Sequence, residues 1–100
     1  MIKFKVQFAH GNEVELRHFE KFPWFDRTYS VTFEEAKKDI DESLSTFESE
    51  HVDDESDDIT KEILRARDEV RALTAEEFFV DRNAGVFVAH DCAWRIVEVG

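Results

Sequence analysis

The sequence predicts an α+β domain in which an antiparallel sheet of about five strands carries a two-helix hairpin on one face, in the order β-β-(β)-α-α-β-β-β. Three observations carry this expectation. Apolar residues alternate with period two near both ends, they recur with helical spacing in the middle, and a capping signature marks the first switch between the two periods. The 100 residues, 42% hydrophobic with ten Phe and two Trp, suffice for one core, so residues 1–100 are expected to form a single compact domain.

Residues 2–9, "IKFKVQFA", place Ile2, Phe4, Val6 and Phe8 on one face of a half-buried strand. The turn "HGNE" follows, with Gly11-Asn12 accepting positive φ, and "EVELRHF" then alternates through Val14, Leu16 and His18, which predicts a β-hairpin. Pro23 inside "FPWF" interrupts regular pairing, and "TYSV" is expected to add a short strand leading to Thr32.

Thr32-Phe33-Glu34-Glu35 matches the capping box, in which Thr hydroxyl and Glu carboxylate satisfy free backbone N–H groups at a helix start. Phe33, Ala36, Ile40, Leu44 and Phe47 then fall on one apolar stripe that fades near His51. Ile59, Ile63, Ala66, Val70 and Leu73 form a second stripe, with Ser56 or Asp57 as its expected N-cap and residues 52–58 as the junction. Arg65, Arg67 and Arg71 are expected to pair locally with Glu62, Asp68 and Glu69 on that second helix. From Phe78 the period returns to two. "FFVD", the turn Arg82-Asn83-Ala84-Gly85, "VFVAH" and "AWRIVEV" predict two or three strands, with "VFVA", apolar on both faces, as a central one.

The charge is the main functional signal. Residues 34–62 hold thirteen Asp or Glu against Lys37, Lys38 and Lys61, so −10 of the net −11 lies in that stretch. Such an imbalance disfavours direct contact with nucleic acid or anionic membranes and favours a basic protein surface. The expected contacts are Glu34, Glu35, Asp39, Asp41, Glu42, Glu48, Asp53, Asp54, Glu55, Asp57 and Asp58, with Trp24 of "FPWF" adding apolar affinity. Along a helix of about 28 Å, the acids from Glu34 to Glu50 fall at one per roughly 4 Å, close to the spacing of about 3.4 Å between phosphates of a DNA strand. The leading expectation is therefore an inhibitor that imitates nucleic acid on the basic surface of a nucleic-acid-handling protein. Such small acidic domains resemble, in general character, phage-encoded inhibitors of bacterial defence enzymes, although no motif here identifies a family. The alternative is an immunity or adaptor protein that binds a basic partner without mimicry, and the plain reading is a solvated helix face.

Other chemistries fit less well. An EF-hand loop starting at Asp53 would need Gly where Asp58 stands and Glu where Leu64 stands, so no metal site is expected. His90 and Cys92 in "HDCAW" would share one face of an extended strand, which makes a small thiol enzyme the second alternative. With Gly at positions 11, 85 and 100 alone, the chain has no P-loop and no GxGxxG, and HExxH and GxSxG are also missing. No catalytic residue and no cofactor are expected. The single Cys excludes an internal disulfide, the start Met1-Ile2-Lys3-Phe4 lacks a secretory pattern, and no apolar run spans a bilayer. A cytoplasmic setting is the corresponding expectation.

Overall fold

The computed structural model describes residues 2–50 and 57–99, Asp57 by its backbone. It is an α+β fold built on a four-stranded antiparallel sheet of order β2-β1-β4-β3. In chain order the elements are β1 (Lys3–His10), α1 (Asn12–Glu15), a 3₁₀ turn (Phe19–Lys21), β2 (Phe25–Asp26), α2 (Phe33–Glu50) and α3 (Asp57–Ala72). They continue through α4 (Ala75–Val80), a second 3₁₀ turn (Arg82–Gly85), β3 (Val86–Ala89) and β4 (Cys92–Val99).

The two long alternating segments pair with each other at the centre. β1 runs antiparallel to β4 from Lys3↔Val99 to His10↔Cys92. This register puts Phe4 and Val6 on the same face as Trp94 and Ile96, where α2 and α3 cover them. Both predicted helical stripes face that sheet: Phe33, Ala36, Ile40, Leu44 and Phe47 from α2, and Ile63, Ala66 and Val70 from α3, all buried. Phe4, Phe33 and Phe78 join in a ring cluster with centroids 5.3 to 5.9 Å apart. Each such buried side chain contributes about 1.5–3 kcal/mol relative to exposure. On the opposite face of the sheet a smaller cluster of Ala9, Val14, Phe22 and Ala93 is covered by the segment between β1 and β2.

The capping box at Thr32 forms as expected. Glu35 N–H donates to Thr32 Oγ1 at 3.1 Å, and Thr32 N–H donates to Glu35 Oε1 at 3.0 Å. The expected Ser56 cap lies outside the described residues, and α3 is already helical at Asp57.

Several expectations are corrected. The hairpin at "HGNE" does not form, because β1 takes β4 and β2 as its two neighbours and has no free edge for residues 13–19. Gly11, at φ 126°, instead donates its N–H to the Asp91 carbonyl and turns the chain into α1. Val14 is buried whereas Leu16 and His18 are exposed, so their alternation marks no common face. "TYSV" contributes only the bridge between Val31 and Phe4, and the short strand lies at Phe25–Asp26. Phe78, Phe79 and Val80 of "FFVD" belong to helix α4, which Thr74 caps by accepting from Glu77 N–H at 3.2 Å. "VFVA" is the edge strand β3 rather than a central one.

Candidate functional site

The acidic surface is built on α2, whose apolar stripe fixes which carboxylates point where. Residues 100° apart around the helix axis sort into three sectors once Ile40 and Leu44 face the core. The sector toward α3 holds Asp41 and Glu48, and Arg67 reaches across from α3 to both. Its Nε donates to Asp41 Oδ1 at 3.2 Å, and its Nη1 donates to Glu48 Oε2 at 2.9 Å. Arg71 Nε sits 3.3 Å from the same Asp41 oxygen. These hydrogen bonds hold the Arg67 pKa above its ordinary value, the bond to Asp41 contributing most. The opposite flank holds Asp39, which accepts from Arg27 Nε at 2.9 Å. Arg67 and Arg71 of α3 thus pair across to α2, where local pairs along α3 were expected, because the two carboxylates on the facing flank come within reach.

The outermost sector of α2 is Glu34, Glu35, Lys38, Glu42, Ser45, Thr46 and Ser49. Glu34 and Glu42 are weakly balanced by Lys37 and Lys38, each at 4.0 Å, and Glu35 serves the capping box. Three carboxylates over a helix of about 27 Å give one per roughly 9 Å, well short of the phosphate spacing of about 3.4 Å. The structure therefore places Asp39, Asp41 and Glu48 in internal ion pairs, and Glu34, Glu35 and Glu42 on the outer face. Asp58 is exposed at the start of α3, while Asp53, Asp54 and Glu55, and the side chain of Asp57, lie outside the described residues. Glu50, exposed at the end of α2, joins the candidate surface although it is not among the contacts expected from the sequence.

Trp24 is half-buried, and its ring lies 4.4 Å under the guanidinium carbon of Arg95. Phe22 beside it is in the smaller cluster, so "FPWF" mainly closes the second face of the sheet.

His90 and Cys92 do not share a strand face. His90 occupies the two-residue turn between β3 and β4 at φ 53°, whereas Cys92 begins β4 with its side chain in the core. Burial first, then the charge of Asp91, pushes the Cys92 thiol up to about 12, opposite to the shift an activated nucleophile needs. Among the described residues no group of three or more His, Cys, Asp or Glu could hold a metal ion.

A concave surface lies on the side of the molecule formed by the Arg17–Trp24 segment and β3, with Glu69 as the acid in its lining. A groove of about 700 Å³ runs between the Arg17–Trp24 segment, β3 and α3, lined by Phe19, Trp24, Val86, Val88, Arg65 and Arg95 among others. Burial lowers the Arg95 pKa, and its Nε donates to Gln7 Oε1 at 2.7 Å. Period two already put Arg95 on the face opposite Trp94 and Ile96; an arginine between such neighbours was the available signal for this surface. Comparison with protein-family models, curated proteins and solved structures finds no match to this chain.

Proposed function

We propose that this protein acts by binding another protein, as an inhibitor or adaptor drawn to a basic surface, and that its attraction is concentrated where α2 and α3 are joined rather than spread along α2. The observation that carries this reading is the sorting of the α2 carboxylates. Those on the two flanks are neutralised by Arg27, Arg67 and Arg71, and the outer face carries Lys38 among its acids. Residues 50–58, in contrast, contain six acids and neither Lys nor Arg. An unbalanced cluster of this kind raises the encounter rate with a cationic surface and makes the complex salt-sensitive.

The spacing on α2 favours a basic partner bound without nucleic-acid mimicry. Mimicry requires that duplex DNA or RNA and this protein exclude each other from one site, whereas an adaptor binds alongside nucleic acid. The test is capture of partners from the source cell's lysate on the immobilised protein, with and without duplex DNA as competitor. It is repeated with Asp53, Asp54, Glu55, Asp57 and Asp58 changed to their amides. Salt-sensitive partners are expected to be retained by the native protein and lost by the amide variant. Retention by both would leave residues 50–58 without a binding role, and elution by DNA would restore the mimic.

A further inference from the structure

We infer that the free edge of β3 is a docking site for an extended, carboxylate-bearing peptide segment of another protein, which adds to the sheet as a fifth strand. β3 pairs with β4 alone, through Val86↔Arg95, Phe87↔Trp94, Val88↔Ala93 and Ala89↔Cys92. The turn between them has two residues, His90 and Asp91, so Ala89 and Cys92 form a hydrogen-bonded pair and the pairs then alternate. The bond from Gly11 N–H to the Asp91 carbonyl fixes the same phase on the other side of β4, where His10↔Cys92 is the non-bonded pair. It follows that the backbone groups of Val86 and Val88 point away from β4. Val86 N–H is used by the Asn83 carbonyl. The Val86 carbonyl and both backbone groups of Val88 have no hydrogen bond among the described residues.

Both valines line the groove described above, whose apolar wall includes Phe19, 58% exposed, and Trp24. Its charge selects the occupant. Arg17, Arg27, Arg67, Arg71 and Arg82 each have a carboxylate within 4.0 Å. The other two arginines, Arg65 and Arg95, have none among the described residues, and both line this groove. Arg95 reaches it from the sheet face that the Arg17–Trp24 segment partly covers and Arg65 from α3 on the other side, so an acidic side chain on either face of an added strand meets a guanidinium. Arg17, Arg65 and Arg95 outnumber the one acid of the lining, Glu69, so in a molecule of net charge −11 this is a net cationic lining against a free strand edge, where an added strand takes affinity from main-chain hydrogen bonds and selectivity from the side chains beside it. The sheet's other edge offers only the two residues of β2.

The probe is the peptide acetyl-Val-Glu-Glu-Val-Val-amide, whose adjacent Glu side chains point to opposite faces of a strand, with the Gln-for-Glu peptide as control, followed by amide chemical shifts and hydrogen exchange. Binding is expected to shift the amides of Val86 to Ala89 and the Trp24 indole, and to protect Val88 N–H from exchange. Arg65→Gln and Arg95→Gln are each expected to weaken binding about tenfold. Val88→Pro, which removes an N–H that β4 does not use, is expected to abolish it; should that variant not fold, the two arginine variants decide. Shifts elsewhere, equal binding of the Gln peptide, unchanged affinity in the arginine variants, or burial of this edge in a homodimer seen by sedimentation would overturn the assignment.

Discussion

Cys92 illustrates how one side chain's chemistry is decided by its surroundings. In sequence it is a thiol two residues from an imidazole; in the fold it is 7% exposed, and its Sγ lies 3.5 Å from Asp91 Oδ1. With the thiol pushed up to about 12, the thiolate at neutral pH is on the order of one molecule in 10⁵. Iodoacetamide is therefore expected to label Cys92 only as fast as the chain opens, with the rate rising sharply in denaturant. Rapid labelling of the folded protein would contradict this placement. Glu35 is the converse case. Hydrogen bonds from the Thr32 backbone and side chain hold its carboxyl below the ordinary range. A folded pKa below the unfolded one gives stability that is complete above the unfolded value and is lost as pH falls through the folded value. Thr32→Ala should return the Glu35 titration, followed by NMR, toward the ordinary range, and should cost about 1 kcal/mol in urea denaturation.

Arg67 governs the helical hairpin. Its side chain is 19% exposed and spans Asp41 and Glu48, whereas Arg71, 58% exposed, reaches Asp41 alone. Arg67→Met is expected to destabilise by about 1–2 kcal/mol, since two partly covered carboxylates lose donors. Arg71→Met should cost less than about 1 kcal/mol, because exposed pairs are screened. Equal costs, measured by chemical denaturation, would mean that the pairs across the hairpin are no better than surface contacts.

At this scale the sequence was legible where a pattern was long. The eight residues of β1 and β4 and the stripes of α2 and α3 declared their period and their buried face. Short alternations misled: Val14, Leu16 and His18 read as a strand although β1 had no edge to offer, a fact visible only once the chain's two ends had paired. α4 was readable in principle, since Thr74-Ala75-Glu76-Glu77 repeats the signature of Thr32–Glu35; the aromatic run Phe78-Phe79 outweighed it. Of the candidate surface, the exposure of Glu34, Glu35 and Glu42 followed from helical phase. The neutralisation of Asp39, Asp41 and Glu48 did not, because their partners come from other elements: Arg27 from the loop after β2, Arg67 and Arg71 from α3.

For the whole molecule, charge segregation survives folding in altered form. Of the thirteen acids that the sequence concentrates in residues 34–62, Asp39, Asp41, Glu48 and Glu62 are answered by arginines from outside α2, and six of the others fall in sequence within residues 50–58. The chain thus carries an acid-rich segment and also a groove lined by Arg65 and Arg95, which have no carboxylate within 4.0 Å among the described residues.

The most direct measurement compares two variants of equal net charge against one cationic probe, an octa-arginine peptide, by fluorescence anisotropy. One variant carries Asp53→Asn, Asp54→Asn and Asp58→Asn; the other carries Glu34→Gln, Glu35→Gln and Glu42→Gln. If attraction is concentrated where the two helices join, the first variant loses about tenfold more affinity than the second, and the difference shrinks as salt is raised. Equal losses in the two variants would mean that the probe senses only total charge, and a greater loss in the second would return the binding surface to α2.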